Sequence, residues 1–170
     1  MGKIVARNLY YKYFNSKFSL KNINFTINKG EFVLITGASG SGKSTLAYCL
    51  SGIIHHCIKN GEMRGKVEIN GKSTIDVPLN ELIKEVGIVL QNPESQIFGM
   101  TVEEDLAFGL ENLGLQPSLI DSKIEQILKF LNLDRLRYRN PECLSGGQKQ
   151  RLVIGSILTM EPEILIIDEP

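Results

Sequence analysis

No stretch of this sequence is apolar over the length a membrane helix needs, no charge of one sign prevails, and no two cysteines form a C-x-x-C pair. Each absence removes a class of function. Without a run of about 20 apolar residues the chain is not expected to cross a bilayer as a helix. The opening MGKIVARNLYYKYF lacks the apolar core of a secretory signal. Any membrane role is therefore expected to come through a partner. The 19 Lys and Arg balance 19 Asp and Glu, so no overall basic field draws the chain to nucleic acid or an anionic surface. Cys49, Cys57 and Cys143 are odd in number and widely spaced. They read as reduced thiols of a cytosolic protein rather than a disulfide framework. Repeats and low-complexity tracts are also missing. A chain of 170 residues, 42% of them hydrophobic, suffices for one domain with a genuine core.

The patterning is that of an α/β protein. FSLKNINFTINKGEFVLITG alternates as strand segments and leads into an expected buried strand, Phe32 to Thr36, followed by a glycine-rich loop. KSTLAYCLSG has helical character and is expected to stop at Gly52. GKVEINGKS reads as strand and turn, with Asn70-Gly71 as the turn signal. PLNELIKEVGIVLQNPES predicts a short helix, then a buried strand from Gly87 to Leu90 that ends at Gln91. Thr101 and Glu104 form a capping-box pattern ahead of an amphipathic helix. Further on, Ile120, Ile124, Ile127, Leu128 and Leu131 share one helical face. A third helix is expected in GGQKQRLVIGSILTM, stopping near Pro162, and EILIID returns as a buried strand. His55, His56 and Cys57 are consecutive and so converge poorly on one ion; they read as loop or surface.

The stretch from Gly37 to Thr45, GASGSGKST, fits G-x-x-x-x-G-K-[ST] between a predicted strand and a predicted helix. Glycines at Gly37, Gly40 and Gly42 allow backbone N–H groups of the loop, including those of Ala38, Ser39 and Ser41, to converge on phosphate oxygens. The helix start adds a positive dipole end of about half a unit charge. Lys43 is placed to reach the β- and γ-phosphates, and the Ser44 hydroxyl to ligate Mg²⁺, with Thr45 completing the motif. A Gly/Ser-rich linker matching by accident is the bland alternative. With glycine near ~7% of residues such a match is rare, and the strand–loop–helix context makes it rarer.

LSGGQ, Leu144 to Gln148, read alone is a helix start with Ser145 as N-cap and two glycines marking a turn. Together with the phosphate loop it resembles the signature of the ATP-binding cassette (ABC) ATPases. The resemblance implies a P-loop NTPase fold with a RecA-like core, an N-terminal antiparallel β region and an α-helical subdomain over about residues 91–150. It also implies a head-to-tail dimer, homo- or heteromeric, with two ATP molecules sandwiched between phosphate loop and signature. Ser145, Gly146, Gly147 and Gln148 then line the nucleotide site of the opposite subunit, Ser145 and Gly147 contacting the γ-phosphate. A helix N-terminus suits that charge. In the same family ILIIDEP corresponds to the Walker B strand. By that resemblance Asp168 holds Mg²⁺, Glu169 polarises the attacking water, and Gln91 senses γ-phosphate and Mg²⁺ while coupling to a transmembrane partner. An N-terminal aromatic stacks on adenine. Tyr13 holds the matching position, with Tyr10, Tyr11 and Phe14 as competitors.

QNPESQIF followed by TVEEDLAFGLEN looks like the ATPases of energy-coupling-factor importers, which take up metal ions or vitamins. This implies a transmembrane scaffold subunit, a separate substrate-binding membrane subunit, and a peripheral position at the cytoplasmic face of the membrane. No nucleic acid partner is implied. Members of the family continue past Walker B with a D-loop and a strand ending at a switch histidine. That strand lies between the phosphate-loop and Walker B strands, so the fold is expected to be incomplete at the C-terminus. The chain is accordingly expected to be the N-terminal piece of a transport ATPase. The alternatives are a nucleotide-holding module without turnover, or the ATPase of another ABC transporter class.

Overall fold

The computed structural model describes residues 3–14, 18–58 and 60–169. They group into two compact units, residues 1–88 with 163–168, and residues 89–162 with 169–170. In the first unit, β1 (Ile4–Tyr13), β2 (Phe18–Ile27), β3 (Gly61–Ile69) and β4 (Lys72–Ser73) form an antiparallel sheet in the order β2-β1-β3-β4. Ile4 pairs with Ile27 on one side and with Ile69 on the other. The buried face of β1 carries Ile4 and Ala6, then Leu9 and Tyr11. Strict alternation of period two would have turned Leu9 and Tyr11 to the other side. The register shift between Arg7 and Tyr10, with Asn8 at φ 47°, inserts the extra residue that keeps all four inside. Asn70 and Gly71, at φ 52° and 80°, join β3 to β4 with the positive angles that a two-residue hairpin of the I′ kind requires.

Helix α1 (Lys43–Leu50) packs Leu46, Cys49 and Leu50 into one core with Ile4, Leu9, Tyr11, Leu20 and Val67. Burial pushes the Cys49 thiol up to about 12, so this cysteine is an inert packing residue. The α1 helix stops at Gly52 as expected, the glycine following the C-cap Ser51 at φ 78°, and the same residue opens the short α2 (Ile53–His56). After α3 (Leu79–Glu85), β5 (Val86–Val89) pairs with β6 (Ile164–Ile167).

Two expectations need correction here. Residues 32–36, expected as a buried strand, belong to no sheet, and their side chains face solvent; Phe32 is 94% and Leu34 76% exposed. An apolar run becomes a strand only where a neighbour takes its N–H and C=O groups, and none does so among the described residues. The closing strand β6 is likewise half open, with Leu165 and Ile167 exposed on one face while Ile164 and Ile166 pack inward.

The second unit is helical. It contains α4 (Val102–Asn112), α5 (Pro117–Phe130) and α6 (Gly146–Leu158). Thr101 and Glu104 form the reciprocal capping box ahead of α4. The predicted face of α5 is the one that packs. Ile120, Ile124, Leu128 and Leu131 join Leu106, Leu110 and Leu152 in the core. No helix of the described residues is long and apolar enough to cross a membrane.

Candidate nucleotide-binding site

The phosphate loop runs over residues 37–42, exposed or half-buried, and closes on α1, with Lys43, Ser44 and the buried Thr45 in its first turn. Gly42 is the N-cap, at φ 98° and ψ 13°. An added Cβ there would lie 2.7 Å from the Ser19 carbonyl oxygen and 3.2 Å from Leu20 Cδ2, so the position admits only glycine. A glycine cap supplies no side-chain acceptor, and the first turn carries no acidic residue. The N–H groups at the start of α1 are therefore left for an outside anion. Lys43 Nζ donates to the carbonyls of Gly37 and Ala38, at 3.0 and 3.1 Å, folding its charge back over the loop.

Two aromatic residues border this helix. The Tyr13 hydroxyl hydrogen-bonds the Thr45 hydroxyl at 3.2 Å, and its ring meets Tyr11 edge-on with centroids 4.8 Å apart. Among the competitors, Tyr11 is buried in the core, Tyr10 sits edge-on to Phe18, and Phe14 is exposed. Burial raises the Tyr48 phenol, and the nearby Asp168 carboxylate and Tyr13 add to that shift. Asp168, just past β6, is 5% exposed, and its Oδ2 is buried with no hydrogen-bond partner. A buried carboxylate oxygen with no donor among the described residues suits a cation or its water. No cluster of three or more His, Cys, Asp or Glu exists among the described residues. One carboxylate with hydroxyl and amide ligands is a donor set that suits Mg²⁺, which takes its remaining ligands from phosphate and water.

In the second unit the structure brings together two residues 78 positions apart. Gln91 Nε2 donates to Glu169 Oε2 at 2.6 Å. At the signature, Ser145 N donates to Gln148 Oε1 at 2.9 Å and Gln148 N to Ser145 Oγ at 3.3 Å, a complete capping box opening α6. Gly146 and Gly147 are exposed, and a Cβ added at either meets nothing within 4 Å.

Asp105 escaped sequence reasoning. It is 3% exposed, and Oδ1 accepts from Phe98 N at 2.8 Å and Gly99 N at 3.1 Å, while Oδ2 accepts from Ser156 Oγ at 2.8 Å. It thus ties the segment after Gln91 to α4 and α6. The only sequence signal was a carboxylate between Val102 and Leu106 on the buried face of a predicted helix.

A glycine-forced, uncapped helix start beneath a G-x-x-x-x-G-K-S loop defines a P-loop nucleotide-binding protein on a mixed α/β fold. Comparison narrows the class: the profile of the ABC transporter family matches residues 20–170, and the chain belongs to that family. A putative ABC transporter ATP-binding protein of Pyrococcus abyssi is 47% identical over 100% of this chain and 61% of its own length. The energy-coupling factor transporter ATP-binding protein EcfA of Methanosarcina acetivorans is 48% identical, matching 98% of the chain and 59% of that protein. Among solved structures, cbiO1 of Clostridium perfringens, described as part of the ABC transporter complex cbiONQ, superposes with a TM-score of 0.82. It is 35% identical, with 98% of this chain and 65% of that one covered. The chain thus spans about three fifths of the length of these relatives.

Proposed function

We propose that this chain is the nucleotide-handling part of a transport ATPase of the energy-coupling-factor kind. It would bind Mg·ATP and drive import of a metal ion or vitamin through membrane partners. The observation that carries the reading is the bare N-terminus of α1, forced by Gly42 and topped by Lys43. Its N–H groups and the Lys43 ammonium stabilise phosphate charge without side-chain competition. The Ser44 hydroxyl, Asp168 and Gln91 would hold Mg²⁺, which supplies neutralisation of the β- and γ-phosphate oxygens. Glu169, exposed just after Asp168, polarises the attacking water.

A second copy or a related ATPase subunit would complete the site. Ser145 Oγ already accepts from Gln148 N, which leaves its own O–H to donate outward. Gly147 is not demanded by the fold of this chain, which supports a role in letting a partner's phosphate approach closely. Phe98, Met100 and Phe108, 71%, 76% and 52% exposed, with the two rings stacked at 5.7 Å, offer an apolar surface for the membrane scaffold subunit. The protein would then sit peripherally at the cytoplasmic face of the membrane.

Titration calorimetry with Mg²⁺ and a non-hydrolysable ATP analogue tests the site. Saturable binding that weakens at least about tenfold, or ~1.4 kcal/mol, in Lys43→Ala is expected. Failure of the unsubstituted chain to bind would end the proposal. A nucleotide-holding module without turnover is the second reading, favoured by residues 31–38 lying outside any sheet. It predicts the same binding with no steady-state hydrolysis.

A further inference from the structure

The Gln91 amide and the Glu169 carboxylate form a 2.6 Å hydrogen bond, although both residues are exposed. Several features make this contact a built one. The backbone on each side of Gln91 is pinned: Leu90 N donates to Gln96 Oε1 at 2.7 Å, Ser95 Oγ to Asn92 O at 2.7 Å, and Glu94 N to Asn92 Oδ1 at 3.2 Å. Glu169 itself stands at φ 55°, a left-handed conformation that a residue with a side chain keeps only when its surroundings hold it. A primary amide is a neutral group that presents a donor and an acceptor from a single rigid plane. Here the nitrogen is spent on Glu169, while the amide oxygen has no hydrogen bond among the described residues.

We infer that Gln91 is the positioning residue for Glu169. Its Nε2 fixes the carboxylate, and its Oε1 stays uncommitted. The inference rests on the transport-ATPase reading, in which Glu169 polarises water, and gives Gln91 a duty besides sensing the nucleotide. Glutamate at this position would keep an oxygen but lose the donor and set two carboxylates against each other. Alanine would lose both.

The test has two arms. In the nucleotide-free 170-residue chain, ¹⁵N–¹H spectra report the Gln91 side-chain NH₂ pair directly. Glu169→Ala is expected to shift the bonded proton upfield, and an unmoved signal overturns the inference. In the full-length protein, Gln91→Glu is expected to lower kcat at saturating Mg·ATP at least about thirtyfold. A raised KM with unchanged kcat also overturns it. Failure of the unsubstituted full-length protein to hydrolyse ATP removes the reading on which the inference rests. An unmoved amide signal alongside normal hydrolysis removes the inference alone.

Discussion

Replacing Gly42 by alanine tests whether the phosphate loop is shaped by its own backbone or only by what it binds. At φ 98° an L-residue costs about 1–2 kcal/mol in left-handed strain. The new methyl would stand 2.7 Å from the Ser19 carbonyl oxygen and 3.2 Å from Leu20 Cδ2. Relieving such overpacking costs typically about 1–3 kcal/mol. Together the loss is about 2–5 kcal/mol, a large part of the ~5–15 kcal/mol that holds a domain together. Urea unfolding followed by circular dichroism measures it, and a fluorescent nucleotide reports the loop. Gly147→Ala is the matched control, because its Cβ meets nothing within 4 Å and α6 gains a better helix former. It is expected to be neutral or to stabilise by up to about 1 kcal/mol. If the full-length protein hydrolyses ATP as proposed, a loss of hydrolysis in Gly147→Ala comes from what approaches Gly147 from outside. If Gly42→Ala costs under about 1 kcal/mol, or Gly147→Ala destabilises by more than that, the steric reasoning is wrong.

Two further expectations concern the frame around the site. Asp105→Ala leaves the N–H groups of Phe98 and Gly99 without their acceptor, while the Ser156 hydroxyl keeps only the Leu152 carbonyl at 3.1 Å. A loss of about 2–4 kcal/mol should appear in urea unfolding, with Asp105→Asn milder because one oxygen remains. The Glu85 carboxyl is held below its usual range, first by the Lys72 ammonium that donates to it at 2.8 Å, and also by Asn70, against the opposing effect of burial. Its stabilising contribution is therefore present above the ordinary carboxylate range and is lost as pH falls through the depressed value. Thermal unfolding of Glu85→Gln should accordingly show a smaller loss of Tm on acidification than the unsubstituted chain; equal losses would contradict the assignment.

Local chemistry was readable wherever the determining partners lie close in the chain. Thr101 with Glu104, and Ser145 with Gln148, are three residues apart and form their capping boxes from their own sequence. The Asn70-Gly71 turn and the buried stripe of α5 were legible for the same reason. Residues 32–36 show the limit. Their apolar pattern expresses a preference for a strand, but a strand exists only with a neighbour to take its backbone hydrogen bonds. The register shift in β1 was equally hidden, because one extra residue leaves composition unchanged while reversing every face beyond it.

By itself the sequence determined the phosphate loop, the signature turn, the acidic pair after β6 and the helix starts, since each is encoded within a few consecutive residues. Only the tertiary structure decided that Gln91 meets Glu169, that Asp105 is the buried anchor of the segment around Phe98, and that Asp168 carries a carboxylate oxygen with no partner among the described residues. The first two contacts join positions that local pattern cannot connect, and the orphaned oxygen is defined by burial. Such facts come into being only when the chain has packed.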